Sequence, residues 1–595
     1  MPRRMRVIAM ACIALWSGAG LGAAAPLPTE LIIRDVTVID PSSGQMLDHR
    51  SVHIAAGKII KIEPALVRNA SGSIAADGIE VEPALVRNAS GSIAADGIEV
   101  EPVLVRNASG SIAADGIEVE PARVRKGAGR NASAGPSGPG QGGGTQNNHA
   151  AALLVDAERN SDAATVLDGA GKFLIPGLWD MHSHLRDYVE YALPMHIAFG
   201  VTGIRDMSGD CPDPKAPAAF CIDDVRQLNS RVSAGTEPGP RVLWASSDFV
   251  HGPELRSSLP GTMPKYLYPA TAEEGRLVAE HWQARSVDFI KTYNGIPPAA
   301  YFALADRARE LGIEVSGHVP LGVSTSEAAA HGHKTIEHAR SILYDCSDYG
   351  PEYRAAMAAV ASGVPNANTP DSTERMRRTV NEFDAQRCEA ILSDLAKRGV
   401  YYTPTHLTRE SDARASDAAY RNDPRLKYVI PKWREYWESN LNSAASKSAE
   451  VRELYQRFHE LGLRVTGMAH AAGVKILAGT DAFDTMIFPG ASLHDEFALL
   501  HKAGLSPMEV LRTATTNAAE YLGLQRQYGA VREGWTADLV LLNANPLHDI
   551  RNTREIAAVI VGGRWYERAQ LDGFLRDAER YVEQAKANVA PSVEH

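Results

Sequence analysis

LIPGLWDMHSHL, residues 174–185, is an apolar run that closes on two histidines. Side chains alternate along a strand, so His182 and His184, at i and i+2, project to one side, where two imidazoles can reach one metal ion. Alone, the pair is a weak signal and reads more readily as two core histidines. Working outward, seven more short apolar runs follow, separated by helical stretches: GVTGIRDM, PRVLWAS, DFIKTY, EVSGHVP, KTIEHA, VYYTPTH and VKILAGTDA. Eight alternating β and α units predict an α/β fold closed as a parallel (β/α)8 barrel. A doubly wound open sheet is the alternative, and no GxGxxG or GxxxxGK(S/T) follows any run to favour its nucleotide-binding form.

In a barrel, chemistry sits at the C-terminal ends of the strands. Polar residues fall there repeatedly: Lys291 in VDFIKTYNG (287–295), His318 in SGHVP, His338 in TIEHA and Asp481 in AGTDA. Each has an ordinary reading, as a satisfied core histidine, a snorkelling lysine or a capping aspartate. Six such residues on five runs point instead to a built site.

Before residue 64, LIIRDVTVID, SVHIAA and KIIKIEP alternate like strands; TVLDGAGKFLIPGLWD, and later ADLVLLNAN, IAAVIVGG and RWYE, resume the style. We expect a small composite β-sandwich domain from residues 25–63, 151–172 and 536–570, a barrel over 173–535, and a helical tail over 571–595. Residues 64–150 form an insert in the β-domain. Three copies of EPALVRNASGSIAADGIEV, nearly identical, start at Glu63, Glu82 and Glu101, with a degenerate fourth start at Glu120, and a Gly/Ser/Pro-rich linker follows. The unit is too short for a helical solenoid and offers little apolar surface to bury, leaving a short β-solenoid as the structured option.

MPRRMR followed by VIAMACIALWSGAGLGAAA has a basic n-region, an apolar h-region and a small-residue cleavage zone, so residues 1–24 read as a signal peptide and the protein as exported, periplasmic or secreted. The formal net charge of -11 argues against nucleic-acid or anionic-membrane partners, and no stable membrane insertion is expected after processing. Removal of Cys12 leaves four cysteines. Cys211 and Cys221 flank a proline-containing loop and are expected to pair, as are Cys346 and Cys388.

Taken together, LIPGLWDMHSHL, the lysine of FIKTY, GHVP, TIEHA and GTDA, then SLHDEFALLHKAGLSPMEVLRTATTNAAEYLGL and GAVREGWTADLVLLNANPLHDI, resemble the amidohydrolase superfamily over residues 28–63 and 164–570. The resemblance is to its binuclear branch of Xaa-Pro dipeptidases and ochratoxin-type amide hydrolases. It implies a distorted (β/α)8 TIM-like barrel holding two divalent metal ions, most commonly Zn2+. By position, His182, His184 and Asp481 would bind the more buried metal and His318 and His338 the more exposed one. Lys291, carboxylated on its amine by carbon dioxide, would bridge them. Asp481 would double as the catalytic acid and base in hydrolysis by a metal-bridging hydroxide.

Substrate-binding candidates are Tyr293, on the strand side of Lys291, His251 after the third run, Arg205 at the end of the second and His406 at the end of the seventh. His494 is a structural alternative, and His331 and His333 precede the sixth strand and fall at the opposite face. The segment 409–463, including WREYWESN, is long enough for a helical lid that touches substrate or a second subunit of a homo-oligomer. The expected activity is hydrolysis of a small-molecule amide, such as an N-acyl amino acid or dipeptide. A cyclic amide or lactone hydrolase on the same centre is one alternative, and a non-catalytic binding protein on a retired barrel is another.

Overall fold

A computed structural model of the chain describes residues 30–65, 67–68, 74–76, 79–80, 106–107, 164–211, 213–216, 219–369 and 371–588. The expected signal peptide, the Gly/Ser-rich linker and most of the repeat insert lie outside these residues. Within the insert, Val67–Arg68, Ile74–Ala76, Ile79–Glu80 and Arg106–Asn107 pair antiparallel with one another and, among the described residues, with no other strand.

Eight short strands follow one another in parallel: β1 (Leu178–Ser183), β2 (Val201–Asp206), β3 (Arg241–Ala245), β4 (Phe289–Thr292), β5 (Glu314–Gly317), β6 (His333–Glu337), β7 (Tyr401–Thr403) and β8 (Lys475–Ile476). They coincide with the eight apolar runs. The ladder is not continuous. β1 to β3 form one sheet and β4 to β8 another, and isolated parallel bridges Ser246↔Phe289, Val250↔Thr292 and Ser183↔Ala482 join the two at both seams. The α/β alternation and the parallel, TIM-like arrangement are as expected, but the ladders do not close into a continuous barrel, because pairing between the two sheets falls to single bridges. Helices such as Ala272–Ala284 and Pro298–Leu311 bury apolar faces (Val278, Trp282, Leu304) in the barrel's hydrophobic core. This burial is the main source of stability for each amphipathic layer.

Both chain ends build a second sheet. Its strands are Arg564–Glu567, Ile556–Val561, Leu539–Leu542, Phe173–Pro176, Glu30–Asp40, Gln45–Ala55 and Lys58–Pro64 in spatial order, with Ala164–Asp168 also on Glu30–Asp40. All eight are hydrogen-bonded into one mixed sheet, so the pairing does not establish the two stacked sheets of a sandwich. Phe173–Pro176, assigned above to the barrel, belongs here, because it pairs with Leu539–Leu542. Leu31, Ile33, Val52, Leu174, Leu539 and Ile560 form this sheet's own buried core. The helix Arg568–Asn588 returns to the barrel, stacking Tyr581 on Tyr191.

Both expected disulfides are present, Cys211–Cys221 and Cys346–Cys388. The second ties the helix after β6 (Arg340–Asp345) to the helix Ala385–Lys397. No helix among the described residues is long and apolar enough to cross a membrane.

Candidate metal centre

The carboxyl ends of β1, β4, β5 and β6 and the loop after β8 bring the six expected residues together. Asp481 Oδ1 lies 3.2 Å from His182 Nε2 and 2.8 Å from His184 Nε2. The three residues' ligand atoms fall within 4.8 Å of one another. Lys291 Nζ is 3.2 Å from His182 Nε2. His338 completes the group, with Nδ1 3.7 Å from Asp481 Oδ2 and its ring 4.9 Å from that of His182 and 4.6 Å from that of His318. Side-chain exposure does not rank the two halves as the family resemblance implies: His184 and Asp481 are 13% and 14% exposed, His338 only 8%.

Backbone geometry that the sequence conceals aims these groups. His338, Asp481 and Thr405 all take positive φ (67°, 68° and 44°), a conformation that non-glycine residues adopt at a cost and keep where surrounding structure enforces it. Thr405 Oγ1 meets His338 Nδ1 at 2.7 Å. Asp481 N–H donates to the carbonyl of His182 at 2.8 Å, locking the loop after β8 onto β1. Gly317, at φ 114°, has no room for a side chain: a Cβ there would lie 2.6 Å from the Thr292 carbonyl oxygen and 3.0 Å from Lys291 Cδ.

Charge is arranged as a cation site requires. Burial pushes the His318 and His338 imidazoles well below their usual range, so they stay neutral and their ring nitrogens can ligate. Burial alone would raise the Asp481 carboxyl, but His182 and His184 beside it hold it well below the usual carboxylate range. Burial lowers the Lys291 ammonium to about 8, against the opposing pull of Asp481 and Glu337. The donor set therefore fits divalent cations: two imidazoles and a carboxylate converge, two more imidazoles follow, and a lysine whose proton burial loosens lies against His182.

Glu337 and Asp180 are the supporting residues that sequence reasoning missed. Glu337 Oε2 accepts from His182 Nδ1 at 2.8 Å, which fixes the tautomer that leaves Nε2 a free lone pair. Asp180 accepts from the backbone N–H groups of His182 and Thr480 and from Thr480 Oγ1, and burial lifts it to about 6. For Asp180 the available signal was a carboxylate inside the strand LWDMHS; Glu337 ends the polar strand HKTIE, which offers no such contrast.

Of the substrate candidates, Tyr293 and His251 lie at the centre's edge. The Tyr293 ring stacks 4.1 Å from that of His318, and His251 packs 4.6 Å from Tyr293. Arg205 does not reach the mouth. It is fully buried beneath the centre, donating to Met181 O, Thr335 Oγ1, Tyr521 OH and, at 2.6 Å, Glu337 Oε1, because β2 turns its side chain inward. His406 is likewise buried, with Nε2 3.0 Å from Thr466 Oγ1, since it starts the helix Leu407–Ala413 and faces the helix Ala449–Ala471. His494 is structural, spanning Thr553 Oγ1 and Phe199 O, and His333 meets Tyr301 OH at the far end of β6.

The segment between β7 and β8 is helical, as expected. Its helix Pro431–Ala445 reaches the loop after β1, where Trp433 Nε1 donates to Asp187 O at 3.2 Å and packs on Phe483. A polar cavity of about 310 Å³ beneath it is lined by Arg409, Tyr436, Asn440 and Asp484 among others.

The ring of parallel strands with a His/Asp cluster at its carboxyl end defines a TIM-like α/β barrel competent to hold metal. Residues 290–566 match the amidohydrolase family, and the chain contains an amidohydrolase family domain. A segment of 122 residues, 20% of this chain, is 34% identical to an ochratoxinase from Aspergillus niger and spans 24% of that protein's length. Among solved structures, a bottromycin amidohydrolase is similar at TM-score 0.57 with 19% identity, over 94% of this chain and 92% of that one. A Xaa-Pro dipeptidase with methionine bound in its active site is similar at TM-score 0.52 with 15% identity, over 90% and 100%. At these identities the two structures speak for the fold.

Proposed function

We propose that this protein is a metal-dependent hydrolase of amide bonds in small N-acyl amino acids or dipeptides. The observation that carries the reading is the convergence of His182, His184 and Asp481 within 4.8 Å, with Lys291 Nζ against the same histidine. In this reading His182, His184 and Asp481 would hold one divalent ion and His318 and His338 a second, with a carboxylated Lys291 as a shared anionic ligand; zinc suits the nitrogen-rich donor set. Bound cations supply Lewis acidity, polarising an amide carbonyl and acidifying water.

The chain's own groups supply the rest. Asp481, ionised and open at the strand ends, takes the proton of the attacking water and returns it to the departing amine nitrogen. Tyr293 O–H, kept protonated by burial, donates to the developing oxyanion from its perch on His318. His251 is held neutral by burial, which lowers it to about 4, so one ring nitrogen can donate beside it. We also propose that the protein is exported, a reading its two disulfides support.

Metal analysis of the purified protein, combined with a panel of N-acyl amino acids, Xaa-Pro dipeptides and lactones, tests this. About two metals per chain and release of a free amino acid are expected. Fewer metals under saturating zinc would overturn the binuclear assignment, and turnover of lactones alone would overturn the amide assignment.

A further inference from the structure

Arg340 stands two residues beyond His338, where the chain leaves β6 at the mouth of the centre. Its guanidinium contacts one partner, the His318 ring, with NH2 3.2 Å from Nδ1 and 3.5 Å from Nε2. Yet His318 Nδ1 also lies 2.9 Å from Asn294 Oδ1, a carbonyl oxygen that only accepts. An imidazole nitrogen that donates to Asn294 has no lone pair left for an arginine. The one acceptor left on the ring is Nε2, at a long 3.5 Å and the nitrogen that would face a metal, so the Arg340 fork has N–H groups to spare for a ligand at the mouth.

A guanidinium stays charged in proteins, and a desolvated one without a carboxylate is costly. The buried arginines of this barrel are paired, Arg205 with Glu337, Arg241 with Asp538 and Arg354 with Asp345, whereas Arg340 is partly buried at the mouth. No carboxylate among the described residues lies within 4.0 Å of Arg340. Tyr293, stacked on His318, brings a phenol into the neighbourhood of the guanidinium.

We propose that Arg340 binds the free carboxylate of the substrate, so that the amides this protein selects are those of α-amino acids. The inference rests on the amide-hydrolase reading above and sharpens it. In an N-acyl amino acid the carboxylate is one carbon from the scissile nitrogen, so its anchor must stand immediately beside the reacting group. Arg340 does, one imidazole away. A planar fork of N–H donors matches a carboxylate in two parallel hydrogen bonds. Neutral cyclic amides and lactones would leave that fork unpaired.

Calorimetric binding of an N-acetyl amino acid and of its carboxamide to the metal-loaded protein tests this, alongside hydrolysis of both. Wild type is expected to prefer the carboxylate by roughly 10- to 100-fold. Arg340→Met should bring the preference to about twofold or less, with metal content and melting temperature retained, and Arg340→Lys should restore part of it. Equal binding of the two forms by wild type, binding of neither, or a preference that survives in folded Arg340→Met would overturn the inference. Hydrolysis of carboxylate and carboxamide alike sinks the anchor and leaves the hydrolase reading standing. An Arg340-dependent preference without hydrolysis does the reverse.

Discussion

Glu337 Oε2 accepts the Nδ1 hydrogen of His182 at 2.8 Å, with both side chains fully buried. The other carboxylate oxygen takes Arg205 at 2.6 Å. Burial would raise the Glu337 carboxyl, but the Arg205 charge and His182 hold it far below the ordinary range. A guanidinium thus orients the carboxylate that orients the first ligand, and Arg205 contributes to the centre from below without touching its contents.

Glu337→Gln should therefore weaken metal binding without removing a ligand. Loss of such a carboxylate behind a histidine lowers affinity about 10- to 100-fold, which chelator competition would read. The same change strands Arg205 in the core, so stability should fall by about 3 kcal/mol in denaturant unfolding. Unchanged affinity would show that His182 needs no such partner.

Lys291 gives the centre a pH dependence with a defined sign. Burial lowers its ammonium to about 8, and only the neutral amine can take up carbon dioxide. Reconstitution of metal-free protein with zinc under a fixed partial pressure of carbon dioxide should be fastest above pH 8 and slow about tenfold per unit below it. Lys291→Ala should lose metal and activity together, with partial rescue by a short carboxylic acid added in trans. A flat reconstitution profile between pH 6 and 9 would sink the carboxylation.

Asp481→Asn tests the proton carrier. The carboxamide can still lie against His182 and His184 but cannot shuttle a proton, so kcat should fall roughly 100- to 10,000-fold with KM little changed. Near-normal turnover with metal content retained would reassign the role to another group.

What the sequence disclosed and what it hid divide along physical lines. The strands were legible because each is a short apolar run between helices, and the ligands because a charged or imidazole side chain interrupts such a run at its end. Arg205 looked like another of these. Its misplacement as a substrate contact came from alternation: it faces inward at a level below Met181 O, which only three-dimensional register reveals. His338, Thr405 and Asp481 gave no hint of positive φ, since nothing in a histidine, threonine or aspartate codes for it. Arg340 was passed over because it follows the strand, where solvated arginines are common. Its missing counterion is a property of the fold.

Residues 66–150 should be dispensable. Lys58–Pro64 and Ala164–Asp168 lie in the same sheet with Glu30–Asp40 and Gln45–Ala55 between them, so the insert spans three strand spacings, about 15 Å. Residues 151–163 would still bridge this gap, since 13 extended residues reach up to about 45 Å. The four short strand segments described within the insert pair only among themselves, so their removal breaks no ladder of the eight-stranded sheet. Shortening the connection lowers its closure cost, and the deletion variant should match the full chain in kcat/KM and be equally stable or more so, by up to about 2 kcal/mol. Loss of stability or of turnover would show that the repeats bear on the barrel.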